Sequence, residues 1–418
     1  MSTGTVPTEA PHRVKSFHGT GLAILRSHVG AGASLLATFT HLRFSFPLKL
    51  ITPRTSSRDA TLWLQSRSEL DSDGTCQHDS RHAVAALYIV GYGGGLVSGD
   101  DVELDVDVGQ SCTLLFLTQG TTKVFKMRQH ATMEASAARM TTRQSMRFLV
   151  RPRSTLVLLP DAVTCYAAAR YLQIQRFDLM CPDSSSLVLL DWITPGRHKL
   201  ADRGKSAEEW QFQSYRSRNE VRIRGCGVVV RDVLELAQDE GDNTLKERTA
   251  PYKMYASLFL IGPAAAACVR ALEKEWKSIQ QRPVMLMSGR GHDSAGAYGS
   301  TSPALSNMAI SRAQRNAEAV AAGLPIQQGL CDGDADGVDI EGLGEMRLLW
   351  SFSHLQLPVA LAPSNDCIAN ETKLANTVGA MIRLAALDTD AVKGWLRDRL
   401  GSLRDDVIGP DLYRQALG

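Results

Sequence analysis

Apolar and polar residues alternate along much of the middle of the chain. From Val102 to Val108, valine or leucine occupies every even position and an acidic residue every odd one, which predicts a strand with one buried face and one solvated face. Further short strands are predicted at 84–90, 112–118, 145–150, 155–159, 171–179, 187–193, 210–215, 220–224 and 228–236. Their close spacing, with Gly, Pro and Asp at the turns, indicates a mainly β body. Because no long helices separate them, the pattern argues against a parallel sheet with helical crossovers.

Other stretches depart from this alternation. Phe44 to Leu50 also has a period of two, but Pro47 predicts an irregular or edge strand there. Residues 53–82 are rich in Ser, Arg and Asp, and we expect a polar loop. Apolar residues at helical spacing predict helices, which lie at 263–281, 311–322, 371–387 and 390–400.

These patterns together predict the domain organisation. We expect a flexible N-terminal tail over 1–34 and a single domain over 35–418. That domain is predicted to be mainly β over 35–262, with several α-helices packed towards the C-terminal part, over 263–418. The segments 53–82 and 283–308 are interpreted as insertions, the second being Gly- and Ser-rich and expected to be flexible.

Composition narrows the functional classes. The 418-residue chain has 44% hydrophobic residues, and its 46 Lys and Arg nearly balance its 44 Asp and Glu. This balance gives no global indication of nucleic-acid or membrane binding, so any partner has to be recognised locally. The eight cysteines include no C-x-x-C pair, and the N-terminus has no apolar signal segment. These features predict a cytoplasmic protein.

A Gly-rich segment at 91–100 is the strongest local signal, with the sequence Gly-Tyr-Gly-Gly-Gly-Leu-Val-Ser-Gly-Asp. Glycines permit positive φ angles and close backbone approach. A P-loop is not indicated, because no Gly-Lys-Ser/Thr follows. A nucleophile elbow is not indicated either, because Gly95 precedes Ser98 by three positions instead of two. The segment favours a tight turn between closely packed strands, and the turn residues are Gly93, Gly94, Gly95 and Gly99.

Two groups of residues are weighed as metal ligands. Cys76, His78 and His82 have the spacing and chemistry of a site for a borderline metal, but histidines on loops are ordinarily unliganded. Residues 332–337 copy the first half of a calcium-binding EF-hand loop. Leu343 occupies the twelfth position, where a bidentate Glu is needed, so calcium binding is rejected there.

An ordered set of short segments resembles the UreD (also called UreH) family of urease accessory proteins. The matching segments are 46–50 (Phe-Pro-Leu-Lys-Leu), 93–100, 117–125 (Leu-Thr-Gln-Gly-Thr-Thr-Lys-Val-Phe), 158–161, 196–197, 208–210 with 220–221, and 231–232. They cover about residues 35 to 400, most densely 84–236. The segment after Pro47 and the long loops resemble fungal and plant members more than bacterial ones.

The resemblance implies an irregular β-helix-like, solenoidal body with helices near the C-terminal end. It implies no catalytic activity and no tightly bound cofactor, but a role in assembling the nickel centre of urease. Members of the family bind apo-urease and the accessory protein UreF, which recruits the GTPase UreG that carries nickel. The body is thought to give nickel a polar passage towards urease, so transient nickel binding is expected.

The same resemblance assigns candidate site residues. Asp100 matches the aspartate that ends the Gly-rich motif, and Lys123 matches the lysine of a Thr-Lys-Val-Tyr motif, here with Phe125 in place of Tyr. Arg197 matches the arginine of Gly-Arg, and Glu208 the following glutamate, although the gap between them is longer than usual. The carboxylates are expected to hold nickel transiently, while the two cations keep its occupancy low.

The residues alone leave two other functions open. One is a hydrolase on a β scaffold that uses Ser98, or a metal held by Cys76, His78 and His82. The other is a structural adaptor that never contacts metal. Lys123 is likewise open to two interpretations, as a solvated loop charge or as the partner of a carboxylate such as Asp100.

Overall fold

The structure is a computed structural model that describes residues 16–30, 34–70, 82–126, 141–197, 208–238, 241, 243–281, 347–357 and 378–418. Within these ranges the protein is mainly β-structure, and helices become frequent towards the C-terminus, as predicted. The helices are α1 (Arg54–Leu70), α2 (Leu245–Thr249), α3 (Ala266–Gln280), α4 (Thr389–Arg399) and α5 (Pro410–Leu417), and a further helical stretch, Gly401–Leu403 followed by Arg404–Ile408, lies between the last two. None of these helices is long and apolar enough to cross a bilayer.

The described strands form two large sheets and one small one. Sheet 1 has seven strands in the order β16 (Gly227–Ala237), β15 (Ser214–Ile223), β11 (Arg170–Leu179), β8 (Thr142–Val150), β5 (Asp101–Val108), β1 (His18–Val29) and β2 (Leu35–Phe44). Sheet 2 has the order β18 (Leu348–His354), β19 (Gly379–Ala386), β17 (Met254–Ile261), β12 (Ser186–Thr194), β9 (Thr155–Leu158), β6 (Cys112–Thr118), β4 (Ala83–Gly91) and β3 (Leu48–Ile51). Beside β12, sheet 2 also holds β10 (Val163–Cys165), which pairs with β7 (Thr122–Val124). The small sheet pairs β13 (Gly196–Arg197) with β14 (Glu208–Glu209).

The chain passes back and forth between the two large sheets. From β4 to β15 the longer strands alternate, so that β4, β6, β9 and β12 lie in sheet 2 and β5, β8, β11 and β15 lie in sheet 1. Neighbours within each of these two sets pair in parallel. Parallel strands need a crossover between them, and here a strand of the opposite sheet provides it. The argument from missing helices therefore does not exclude parallel pairing, and the solenoidal description stays a prediction.

Sheet 2 is the middle layer of the molecule and is buried on both faces. All nine residues of β12 are buried. Leu187, Leu189 and Ile193 belong to the core between the sheets. Val188, Leu190 and Trp192 belong to a second core beneath α1, α3, α4 and α5. Fully burying such a side chain contributes about 1.5–3 kcal/mol, which accounts for the apolar residues at six of the nine positions of this strand.

Five expectations from the sequence are wrong or incomplete. The expected tail contains β1, which lies between β5 and β2 and buries Ala23 and Leu25. The irregular strand expected around Pro47 is two strands, β2 and β3, which belong to different sheets. The strands expected at 210–215 and 220–224 are replaced by the single strand β15.

The other two corrections concern helices. The polar loop expected over 53–82 begins with helix α1, because Ala60, Thr61 and Leu64 share one face that packs against the second core. In the described part of the helix expected over 371–387, residues 379–386 form β19 instead, which pairs with β17 and β18. The predicted helix at 311–322, the insertion at 283–308 and the rejected calcium loop lie outside the described residues.

Candidate functional site

The Gly-rich segment is a turn packed tightly against strand β7. Gly93, Gly94 and Gly99 have φ angles of 76°, 80° and 82°, a region that favours glycine. Gly95 is extended, but a Cβ built on it would lie 2.6 Å from the carbonyl oxygen of Lys123 and 2.8 Å from the ring of Phe125. Gly93, Gly94 and Gly99 therefore allow the turn, and Gly95 allows the close approach to β7.

Asp100 closes this turn. Its Oδ2 accepts a hydrogen bond from the amide of Val97 at 2.8 Å, and its Oδ1 accepts one from the amide of Phe17 at 3.3 Å. Burial raises the pKa of Asp100, and the two backbone hydrogen bonds oppose that effect. The carboxylate thus joins the start of β1 to the Gly-rich segment.

Lys123 does not pair with Asp100. Its side chain is exposed on β7, and within the described part of the chain no ion pair connects these two residues. Of the two interpretations of Lys123, the structure agrees with the solvated charge. What binds the lysine to the Gly-rich segment is its backbone, because its carbonyl oxygen accepts a hydrogen bond from the amide of Leu96 at 2.8 Å.

Arg197 and Glu208 face each other across the β13–β14 pair. Two hydrogen bonds join them, from Arg197 Nε to Glu208 Oε2 at 2.9 Å and from Nη2 to Oε1. The amide of Ala167 also donates to Glu208 at 3.2 Å, and the guanidinium lies 4.4 Å from the ring centre of Tyr166. Burial alone would raise the pKa of Glu208, but the bonds from Arg197 and Ala167 lower it. The pair forms a bidentate, charge-assisted contact.

The matched segments are continuous in space. Gly95 packs on Phe125, whose ring meets that of Tyr166 edge to face at 5.3 Å, and Tyr166 lies beneath Arg197. The described residues contain no group of three or more His, Cys, Asp or Glu side chains placed to hold a metal ion. Glu208 thus has a guanidinium for its partner where the sequence suggested a transient metal.

The hydrolase alternative had two versions, one using Ser98 and one using a metal held by Cys76, His78 and His82. Ser98 is only 3% exposed, which leaves its hydroxyl little access to an external ester. Cys76 and His78 lie outside the described residues, so the structure does not test the metal site that includes His82.

A buried polar region crosses the core between the two sheets. The sequence patterns did not predict it. We name it the polar seam, and it consists of Gln144, Gln173, Gln175, Asp191, Ser217, Asn219, Asp232, Ser257 and Arg383. Sheet 1 contributes two rows of register partners. One row is Gln144, Gln173 and Ser217, and the other is Gln175, Asn219 and Asp232. Residues 191, 257 and 383 are register partners on the facing strands of sheet 2.

Asp191 lies at the centre of the seam. Gln173 Nε2 donates to its Oδ1 at 3.1 Å, while Ser217 Oγ and Asn219 Nδ2 donate to its Oδ2 at 2.6 and 2.7 Å. Burial raises the pKa of Asp191, and the nearby charge of Asp232 adds to the rise, although the three donors oppose it. The carboxylate is held by amides and a hydroxyl, which are groups that can also turn an oxygen towards a cation.

A small cavity adjoins the seam. Its lining includes Asp191, Gln173 and Gln175 from the seam and Thr122 from β7. Its volume is about 20 Å³, which is enough for a water molecule. Because Thr122 immediately precedes Lys123, the segment that follows the Gly-rich turn forms part of the cavity wall.

One signal in the sequence could have identified the seam. Asp191 is the only charged residue of β12, whose other eight residues are uncharged and mostly apolar. A charged residue buried on a fully enclosed strand needs polar partners. The partners themselves come from strands far apart in the chain, so their identity was not available from local patterns.

These features describe a mainly β scaffold with a polar seam in an otherwise apolar core, and comparison with known proteins assigns it to a family. The family model described as UreD urease accessory protein matches residues 25–416. The chain therefore belongs to the UreD urease accessory protein family, which confirms the resemblance and agrees with the prediction that it is not an enzyme.

Relatives come from fungi, plants and bacteria. The chain is 37% identical to urease accessory protein 4 of Cryptococcus neoformans over 43% of its length and 58% of the relative. It is 31% identical to urease accessory protein D of Arabidopsis thaliana over 50% of its length and 66% of the relative. It is 32% identical to urease accessory protein UreD of an Anaeromyxobacter species over 54% of its length and 62% of the relative. These alignments span less than two thirds of each relative.

Proposed function

We propose that this protein is a non-catalytic scaffold for urease maturation, which binds apo-urease and UreF, and UreG through UreF. We further propose that nickel passes through its polar seam on the way to the urease active site. Membership of the urease accessory family supports the general role. The observation that carries the passage is the seam itself, an ionisable carboxylate and neighbouring amide oxygens within an otherwise apolar core.

The chemistry of the seam suits transit better than storage. Its ligand atoms are oxygens of Asp, Asn, Gln and Ser, and the seam contains neither His nor Cys. Nickel binds nitrogen and sulfur ligands more tightly than such oxygens. Passage requires binding strong enough for entry and weak enough for release, and an oxygen-lined path meets both requirements.

Asp100 and Glu208 belong to the same proposal as further transient ligands, with Lys123 and Arg197 as the charges that keep occupancy low. Each carboxylate is held by hydrogen bonds in the structure. Each would therefore have to release a donor before it could bind a cation. Glu208 would have to exchange Arg197 for the metal, which makes its occupancy conditional on movement of the β13–β14 pair.

The test is co-expression of urease with its accessory proteins at limiting nickel. Asp191→Asn keeps the size of the side chain and removes its charge, so we expect about a tenfold or greater loss of urease activation. Binding to UreF and apo-urease, measured by pull-down, should be unchanged, because Asp191 is buried.

Asp107→Asn is the matched control. Asp107 is also a partly buried carboxylate with strong partners, Arg26 and Arg151, but it lies outside the seam. Wild-type activation by Asp191→Asn at limiting nickel would contradict the passage. Failure of the wild-type chain to bind UreF or apo-urease would contradict the scaffold role.

A further inference from the structure

The part of the polar seam that does not line the cavity contains an ion pair between the two sheets. Arg383 on β19 of sheet 2 donates through Nη2 to Asp232 Oδ1 on β16 of sheet 1, and through Nη1 to Ser257 Oγ at 2.6 Å. The side chain of Arg383 is only 16% exposed and that of Asp232 only 8%. Asp232 lies close enough to Asp191 for its charge to act on that carboxylate. The pair therefore belongs to the same polar region.

This ion pair is incompletely satisfied. Asp232 Oδ2 and Arg383 Nε are buried and have no hydrogen-bond partner among the described residues. A well-formed guanidinium–carboxylate contact uses both carboxylate oxygens, as Arg399 does with Glu275 elsewhere in this chain. The free oxygen of Asp232 is thus left with unused capacity to bind a donor or a cation.

Two more buried oxygens of the seam are unpaired within the described ranges, and both lie in register with Asp232. They are Asn219 Oδ1 on β15 and Gln175 Oε1 on β11. Gln175, Asn219 and Asp232 are consecutive register partners across adjacent strands. Adjacent strands are about 4.8 Å apart, and two oxygens on opposite sides of a small divalent ion are about 4 Å apart. Neighbouring oxygens in this row can therefore share one ion.

We propose that the neighbouring oxygens Asp232 Oδ2 and Asn219 Oδ1 form a binding site for a divalent cation, with Gln175 Oε1 the next oxygen along the row, and that Arg383 is its displaceable counter-charge. The inference rests on the proposed passage of nickel and adds the place where the ion pauses. Arg383 balances the charge of Asp232 through Oδ1 while the site is empty. Because guanidinium keeps its charge at any ordinary pH, Arg383 repels a cation at the free Oδ2 for as long as it stays beside Asp232. The arginine therefore sets how strongly the site retains its ion.

Equilibrium binding of Ni²⁺ to the purified full-length chain tests this directly. Arg383→Met removes the competing charge and keeps an unbranched apolar stem, so the Kd for Ni²⁺ should fall by about tenfold or more. Adding Asp232→Asn to that variant should abolish the gain, because the tighter binding depends on the carboxylate. Arg399→Met is the control, since it removes a half-buried arginine from an ion pair outside the seam, and its Kd should equal that of the wild type.

The site is excluded if folded Arg383→Met binds Ni²⁺ no more tightly than the wild type, or if the double variant keeps the gain. If Arg383→Met does not fold, Arg383→Lys replaces it. A lysine cannot bind Asp232 and Ser257 together in the way a guanidinium does. Its Kd should then fall by about threefold, and a Kd equal to that of the wild type excludes the site.

The two proposals fail in different measurements. Loss of urease activation in Asp191→Asn together with an unchanged Kd in Arg383→Met would retain the passage and exclude this site. Full activation by Asp191→Asn would instead overturn the passage itself, whatever the Kd of the Arg383 variants.

Discussion

Gly95 shows what a single residue contributes to the Gly-rich segment. Its backbone is extended, a conformation any residue adopts, so its requirement for glycine comes from contact alone. An added Cβ would lie 2.6 Å from the backbone oxygen of Lys123, which cannot move without shifting β7. We expect Gly95→Ala to lower the free energy of unfolding by about 1–3 kcal/mol, as measured by urea denaturation.

The neighbouring Gly94 is the matched control. It has a positive φ of 80°, but no atom lies within 4 Å of the position where its Cβ would be. Asn tolerates this backbone region better than other residues, so Gly94→Asn should cost about 1 kcal/mol, the low end for a non-glycine residue there. Equal losses in the two variants would show that the turn, and not the contact with β7, is what the glycines provide.

At the scale of elements, helix α1 protects the open edge of sheet 2. Strand β3 pairs with β4 only from Tyr88 onwards, which leaves the first part of β4 without a neighbour on that side. Thr61 Oγ1 of α1 accepts a hydrogen bond from the amide of Val84 at 2.9 Å, and Ser57 Oγ accepts one from Ala86 at 2.9 Å. The helix thus satisfies edge groups that would otherwise pair with another chain.

Thr61→Val tests this role of α1. Valine keeps the shape of threonine but leaves the buried amide of Val84 without a partner, which should cost about 1–3 kcal/mol of unfolding free energy. Hydrogen exchange at Val84 should also become faster. Ser66→Ala on the same helix is the control, because that hydroxyl bonds only within the helix and is exposed. If both substitutions have the same small effect, α1 does not stabilise the edge of β4.

A comparison of β5, α1 and β19 shows where secondary structure can be predicted from the sequence and where it cannot. The alternation in β5 identifies the strand because one face is solvated and the other buried. In α1 the residues that face the sheet include Ser57 and Thr61, so its inner face looks like loop sequence. In β19 both faces are enclosed, and a short apolar run fits a helix or a strand equally well.

In the candidate site, residues that belong to a local motif could be predicted, and residues brought together from distant strands could not. The Gly-rich turn and the Asp100, Lys123, Arg197 and Glu208 positions are found from short motifs, since each motif is local in sequence. The partners of the polar seam are not, because Asp232 and Arg383 are 151 positions apart. The pairing of Arg197 with Glu208 was also missed, since it depends on how β13 meets β14.

For the whole molecule, sheet 2 joins the β-rich part of the chain to the helix-containing part. One face of this sheet packs on sheet 1, and the other packs on α1, α3, α4 and α5. Strand β19 comes from the C-terminal part but pairs with β17 along eight residues, from Met254 to Ile261. The boundary near residue 262 therefore divides a sheet and a core, and we expect the two parts to fold as one unit.

A fragment ending at residue 262 should for this reason fail to fold alone. It would expose the face of β12 that carries Val188, Leu190 and Trp192, and it would leave β17 as an open edge. Large apolar patches and unpaired edges promote aggregation. We expect the fragment to be aggregated by size-exclusion chromatography, and co-expression with residues 263–418 to restore a soluble complex. A monomeric fragment with cooperative urea unfolding would contradict this. It would show that residues up to 262 fold without the helices and strands of the C-terminal part.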